Sequence, residues 1–277
     1  MQTLNCKGSL IDLSIPRIMG IINCTPDSFY DGGKTVSIRE IVAQADKMLN
    51  EGATFLDVGG YSSRPGAEDV SEEEELKRVI PAITAILKAF PKTLISIDTF
   101  RSEVAKKAIE VGACMINDIS GGLADQKMME TVAGLKVPYV LMHMKGTPQN
   151  MVENTAYENV TKEVLFYFSG RISEARKAGI NDVIIDPGFG FAKTRKQSFE
   201  LLKQLELFQH LDLPILVGVS RKSMIYKSLE STAEKALNGT SVLNTVAIMK
   251  GASILRVHDV AEAVECVQLL ENLKNNS

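Results

Sequence analysis

The chain predicts an α/β fold, a (β/α)8 TIM barrel, and three observations carry that expectation. Short, almost continuously apolar runs recur along the sequence; segments with helical spacing separate them; and eight such strand–helix units fill its 277 residues. Continuous apolar runs are what parallel strands need when both faces of the sheet are covered. A doubly wound open sheet is the alternative. Its dinucleotide version wants GxGxxG after the first strand, and "MGIINCTPDSF" contains none. "GFGFAK" (188–193) follows the sixth strand and lacks the required acidic partner, and there is no GxxxxGK[ST].

The elements follow in order. Residues 1–14 precede the barrel and predict a short hairpin-like extension over its bottom. Strands are expected at 15–23, 53–60, 93–99, 114–120, 138–144, 182–188, 214–220 and 253–259. Helices are expected at 38–52, 71–90, 102–112, 160–179 and 260–275, with "LNTVAIMKGA" (243–252) inside the seventh. Ser71 and Glu74 have capping-box spacing, and Ser102 is placed to cap the third helix. Gly52, Gly112 and Gly179 are placed to end helices just before a strand. Glu72–Glu75 suit the first turn of a helix, where carboxylates meet the positive end of the dipole. One domain is expected over 1–277, with no repeat beyond the βα unit.

Composition narrows the partners. Hydrophobic residues make up 45% and charged residues 23%, with a net charge of −3. That balance argues against a nucleic-acid surface or a polybasic membrane patch. No apolar run approaches the ~18–20 residues needed to span a bilayer. The N-terminal stretch lacks the basic and apolar regions of a signal peptide. Cys6, Cys24, Cys114 and Cys266 form no CxxC, so a reduced, cytoplasmic protein without structural zinc is expected, with Cys114 and Cys266 in the core.

Polar residues end every expected strand: Asn23, Asp57, Asp98, Asn117, His143, Asp186, Ser220-Arg221-Lys222, and Arg256 with His258. Alone, each reads as a turn former or a helix cap. Converging on one rim, they read as a barrel active site. Asp98, Asn117, Asp186 and Lys222 can recognise a flat heterocycle that shows adjacent N–H donors and a carbonyl, because a carboxylate accepts two parallel N–H bonds and lysine donates. Arg256, His258 and Asn23 lie on strands that become neighbours when a barrel closes. They suit an anion such as a phosphate, with a hard metal ion on the asparagine oxygen. No Ser-His-Asp, HExxH or Cys-His arrangement is present to carry a nucleophile. The loops at 23–34 and 60–68 are long and rich in Gly, Pro, Ser and Asp, as covers that exclude water are.

Eight stretches then resemble the dihydropteroate synthase family: "MGIINCTPDSFYDGG", "LDVGGYSSRPGA", "SIDT", "INDISGG", "LMHMKGTPQNM", "DPGFGFAK", "VGVSRKSM" and "RVHDV", in the family's order and spacing over roughly 15–265. The resemblance implies condensation of (7,8-dihydropterin-6-yl)methyl diphosphate with 4-aminobenzoate, giving 7,8-dihydropteroate and diphosphate, with sulfonamides as inhibitors. It implies Mg2+ on Asn23 and a pterin set of Asp98, Asn117, Asp186 and Lys222, lined by Met142, Phe191 and Gly218. It implies a diphosphate clamp of Arg256 and His258 with Ser63. It implies that Ser63, Arg64 and Pro65 close over the aminobenzoate, whose carboxylate meets Ser220 and Arg221. Arg256, His258, Lys222 and Asp98 are the expected catalytic residues, and a homodimer is expected. Three positions depart from the family pattern: Tyr61 stands for a carboxylate, Ser63 for a threonine while keeping the hydroxyl, and Ala192 for a glycine.

Other expectations attach to single residues. Arg256 and His258, two apart on one strand, share a face and need negative charge, expected from the leaving diphosphate rather than from a protein carboxylate. Asp259 faces the other way as a cap for the last helix. Asp57 holds loops, His143 supports the site from behind, and His210 is at the surface. A methyltetrahydrofolate-type methyltransferase shares the pterin set but has no use for "SSRPGA" or for the Arg256/His258 pair. An inactive pterin-binding paralogue would keep every ligand and lose turnover.

Overall fold

The structure is a computed structural model that describes residues 2–24, 37–61, 70–147, 149–151 and 153–275. The chain opens with a hairpin of β1 (Thr3–Cys6) and β2 (Ser9–Asp12), paired antiparallel with Cys6 opposite Ser9. Its two-residue turn places Lys7 and Gly8 at φ 53° and 81°, the primed geometry that matches strand twist. Asn5 Oδ1 accepts from Gly8 N at 2.9 Å and locks the turn.

Eight parallel strands follow: β3 (Arg17–Asn23), β4 (Phe55–Gly59), β5 (Leu94–Asp98), β6 (Met115–Asp118), β7 (Tyr139–Met142), β8 (Val183–Asp186), β9 (Leu216–Val217) and β10 (Ile254–Val257). They pair in the order β8-β7-β6-β5-β4-β3-β10-β9, and a parallel bridge between Ile185 and Ile215 joins the two ends into a barrel. The outer ring is α1 (Ile38–Asn50), α2 (Glu72–Ala89), α3 (Ser102–Glu110), α4 (Met128–Leu135), α5 (Val160–Ala178), α6 (Arg195–Lys203), α7 (Ser223–Tyr226), α8 (Leu237–Met249) and α9 (Val260–Asn275).

Two cores divide the apolar residues by strand parity. One set of alternate positions, including Ile18, Leu56, Ile95, Ile116, Leu141, Val183, Val217 and Leu255, packs outward beneath the helices. The other set, including Met19, Phe55, Met115, Val140, Ile184, Leu216 and Ile254, fills the barrel interior. Leu4, Cys6 and Leu13 of the N-terminal segment join this inner cluster, so the hairpin plugs the bottom as expected. The inward positions two residues further on are Asp57, Asn117, Met142, Asp186, Gly218 and Arg256, so the same alternation that plugs the bottom lines the top.

Helix ends refine the sequence reading. Ser71 caps α2 by accepting from Glu74 N, but Glu74 turns its carboxylate to Arg78, so that box is half made. Complete capping boxes form at Ser37–Glu40 and Thr194–Gln197. Ser102 does not cap α3; it is the first helical residue, and its N–H is taken by Asp125 Oδ2 at 2.8 Å. Gly179 ends α5 in the left-handed region at φ 96°. All four cysteines are buried and free. Leu4 is 1% exposed inside the plug, so Leu4→Ala is expected to lower unfolding free energy by about 3 kcal/mol, read from urea denaturation.

Candidate active site

The C-terminal mouth is organised around one guanidinium. Arg256 on β10 donates from Nε to Asp57 Oδ2 and from an η nitrogen to Asp98 Oδ2, both at 2.6 Å. Asp57 is fully buried and accepts a second bond on the same oxygen from Asn117 Nδ2 at 2.9 Å. Arg256 thus reaches past β3 to β4 and β5, and Asp57 carries the connection on to β6. The expectation that the Arg256 partner is substrate rather than protein is corrected here. Parity aims Asp57 and Asp98 into the same throat, and a buried guanidinium needs charge beside it at all times. Burial works against the charged form of Arg256, yet Asp57 and Asp98 hold its pKa above the ordinary value. Burial pushes Asp98 up to about 7, against the pull of Arg256 and helped by Asp57.

A second group faces it. Asp186 at the end of β8 accepts from Gly188 N at 2.8 Å, and burial raises its pKa while Lys222 opposes. Lys222, after β9, donates to the Phe189 carbonyl at 2.6 Å and sits 4.7 Å from the centre of the Phe191 ring. Burial lowers Lys222 to about 8, with Asp186 holding it up. A side chain at Gly218 would stand 3.8 Å from Arg256 Cβ and 3.9 Å from Lys222 Nζ, filling the space between the two cations. Met142, 2% exposed, packs with Ile119, Met144, Met151 and Ala192, and Phe191 lies against them. The result is a slot with an apolar wall and a polar edge.

His258 and Ser220 form a third element. Ser220 Oγ lies 3.0 Å from His258 Nδ1 and accepts from the His258 backbone N–H at 3.1 Å, joining β10 to the turn after β9. Arg221 is not turned to the mouth for an incoming carboxylate: its guanidinium grips Asp259 at 2.7 and 2.8 Å and donates to the Ala233 and Glu234 carbonyls. Asp259 is the fork-to-fork partner of Arg221, and its carbonyl accepts from Ala263 N at the start of α9. Asn23 ends β3, opposite Gly59 in the register. Ser63, Arg64 and Pro65 lie outside the described residues, as do most of the two long loops.

The structure adds one residue that strand ends alone do not reveal, Lys193, beside the expected His143. His143 is 2% exposed behind the mouth, and Lys193, 7% exposed, lies 2.8 Å from its Nδ1. The signal for Lys193 was a lysine directly after a glycine-rich turn at a strand end. Tyr61, the departure from the family carboxylate, packs edge-on against Phe100 at 5.0 Å, and Gln149 donates to its hydroxyl at 2.5 Å. Ala192, the departure from the family glycine, holds φ 49° and is buried. His210 is exposed.

A parallel barrel whose mouth gathers carboxylates, an amide, a lysine and a guanidinium around a slot is an enzyme for a flat polar heterocycle carrying an anion. The family model "Pterin binding enzyme" matches residues 19–258, and the chain belongs to the pterin-binding enzyme family. It is 46% identical over 270 residues to the dihydropteroate synthase of Escherichia coli strain K12, covering 97% of this chain and 95% of that one. A crystal structure of Yersinia pestis dihydropteroate synthase in a sulfonamide drug complex superposes with a TM-score of 0.94 at 39% identity, over 99% of this chain and 100% of the other. Xanthomonas albilineans dihydropteroate synthase with 4-aminobenzoic acid superposes with a TM-score of 0.92 at 39% identity, over 98% of each.

Asp57→Asn leaves Arg256 with Asp98 alone and weakens two buried hydrogen bonds. It is expected to cost about 2–3 kcal/mol of stability, measured by urea denaturation, and an unchanged midpoint would contradict the hub.

Proposed function

We propose that this site condenses (7,8-dihydropterin-6-yl)methyl diphosphate with 4-aminobenzoate, giving 7,8-dihydropteroate and diphosphate. The observation that supports it most directly is the pairing of two unlike subsites in one throat. Asp186, Asn117 and Lys222 offer a hydrogen-bonding edge to a pterin, and Arg256 with His258 offers cationic donors to a phosphate. Asp98 stands between the two sets, bonded to Arg256.

The chemistry divides among these residues. The bond that breaks joins the pterin methylene to a diphosphate oxygen; the bond that forms joins that carbon to the aniline nitrogen. Positive charge spreads into the pterin ring as diphosphate departs, and Asp98 and Asp186 stabilise it there. Arg256 has five N–H donors, and its bonds to Asp57 and Asp98 leave others for the departing oxygens. His258, tied to Ser220, adds a donor beside it. The apolar wall of Met142 and Phe191 keeps water from the cationic carbon. A neutral aniline is nucleophilic without a strong base. The aminobenzoate is assigned to Ser63, Arg64 and Pro65, with its carboxylate at Ser220.

Mg2+ fits this donor set. No group of three His, Cys, Asp or Glu side chains able to hold a metal occurs among the described residues. The amide oxygen of Asn23, on the strand beside Arg256, would be a ligand for a hard cation. When bound there, Mg2+ supplies charge neutralisation to the leaving diphosphate.

The reading extends to the whole protein. The activity belongs to a single domain spanning 1–277, working in the cytoplasm as a homodimer. No described helix is long and apolar enough to cross a membrane. Val242 and Met249 on α8, with Leu269 and Leu273 on α9, are exposed apolar side chains on two helices packed together, and they suit a subunit interface. Light scattering reads the stoichiometry.

The central test is turnover of the purified protein with pterin diphosphate, 4-aminobenzoate and Mg2+. Dihydropteroate and diphosphate are expected together, sulfonamide is expected to suppress both, and the absence of both products overturns the reading. By calorimetry, Lys222→Ala and Asp186→Asn are expected to abolish pterin binding, whereas Arg64→Ala mainly raises KM for aminobenzoate. The pH profile of kcat/KM for the pterin substrate follows from Asp98 and Lys222. Asp98 must be ionised to hold the ring, so kcat/KM falls as pH drops through about 7. Lys222 must be charged to donate, so it falls again as pH rises through about 8. Lys222→Arg is expected to move the alkaline limb upward, and a limb that stays in place contradicts the assignment.

A further inference from the structure

Behind the slot, the turn 188–193 is wound around a buried amine. Lys193 Nζ donates to the carbonyls of Phe191 at 2.9 Å, Gly188 at 3.0 Å and His143 at 3.2 Å, and lies 2.8 Å from His143 Nδ1. Four partners surround one amine that carries at most three protons, so every N–H it has is engaged; burial pushes its pKa well down, with Asp186 opposing. The backbone is bent to make it. Gly188, Gly190 and Ala192 alternate through positive φ at 70°, 79° and 49°, and such alternation turns carbonyls toward one point. A side chain at Gly188 would stand 2.2 Å from the His143 carbonyl, so only glycine permits the approach. His143 is itself fixed: its N–H bonds the Asp186 carbonyl at 3.0 Å, and its ring stands edge-on to Tyr167 at 4.7 Å. Burial first, then Lys193 and Lys145, hold its pKa down to about 2, so the ring is neutral and its Nδ1 shares a hydrogen bond with the Lys193 amine.

The far side of this turn faces the slot. Gly188 N–H binds Asp186, the Phe189 carbonyl receives Lys222, and the Phe191 ring lies under the Lys222 ammonium. Every contact that orients Asp186 and Lys222 from this side therefore comes from a peptide or ring that Lys193 ties down one or two residues away.

We propose that Lys193 and His143 form a buried positioning pair that holds the 188–191 peptides against Asp186 and Lys222, and thereby sets the affinity of the slot for its pterin substrate. This rests on the reading that the slot takes a pterin diphosphate. Neither residue touches substrate; both act through the turn.

The test is steady-state kinetics on the full chain, with thermal melting alongside. Wild type must first condense the two substrates; if it does not, the functional reading fails and not this pair. Lys193→Met keeps the volume and removes the amine. It is expected to raise KM for the pterin substrate by about tenfold, with KM for 4-aminobenzoate held within about twofold and kcat changed less than KM, the size expected for losing buried hydrogen bonds. A folded Lys193→Met protein with unchanged pterin KM overturns the proposal. So does an equal loss in kcat and in both KM values, which is what a merely structural role produces. If Lys193→Met fails to fold, His143 decides. His143→Leu removes one acceptor and is expected to raise pterin KM by about threefold, while His143→Asn restores an acceptor near the Nδ1 position and restores the KM. Equal behaviour of Leu and Asn overturns the proposal.

Discussion

A guanidinium in the throat of a barrel must be balanced whether substrate is there or not, and the arrangement of this mouth follows from how Arg256 is balanced. Asp57 and Asp98 take its charge from two neighbouring strands, and Asn117 hangs from the same Asp57 oxygen. The cation is thereby fixed in position by the protein's own carboxylates. Donors held in place in this way stabilise developing charge without reorganising at the moment of reaction. The cost is a buried charge cluster, and it is tolerable because each member is bonded to another.

Much of this was legible in the sequence because a barrel strand has a strict period of two. Met19, Phe55, Met115, Val140, Ile184, Leu216 and Ile254 face inward above the plug, and two positions on the inward residues at the mouth include Asp57, Asn117, Asp186 and Arg256, beside Ile21, Met142 and Gly218. Reading apolar runs therefore located the strands, and reading what ended them located Asp98, Asn117, Asp186 and Arg256. Parity also separated Asp259 from Arg256 correctly. It could not identify what Asp259 meets on its own side, because Arg221 comes from a different βα turn with φ 53° that no periodicity encodes. The Asp57–Arg256 contact was missed for a similar reason: its partners are 199 residues apart, and only barrel closure and the length of an arginine side chain bring them together.

Lys193 marks the limit of such reading more sharply. In the chain it is a lysine after a glycine-rich turn, which ordinarily means a solvated loop. Its burial depends on the carbonyls of Gly188 and Phe191 turning inward, and that depends on three residues at positive φ. One of them is Ala192, where the αL region costs an L-residue roughly 1–2 kcal/mol. Packing of its methyl group among Met142, Met144 and Met151 offsets part of that strain. The turn accepts an alanine because the cage around Lys193 over-determines its backbone.

Two ionisable groups at the slot, Asp98 and Lys222, are displaced in opposite directions by the same cause. Burial lifts Asp98 to about 7 and lowers Lys222 to about 8, so each carries its charge less willingly than it would in water. A ligand that brings N–H donors to the carboxylate and an acceptor to the lysine returns both groups to their preferred ionisation. Under the proposed function, pterin binding and the charging of the site are then one event. An apolar wall with a reluctant carboxylate and a reluctant ammonium favours a heterocycle that carries donors and acceptors on one edge over an ion of either sign. Arg256, held above its ordinary pKa by Asp57 and Asp98, stays charged throughout and is left to meet the anion.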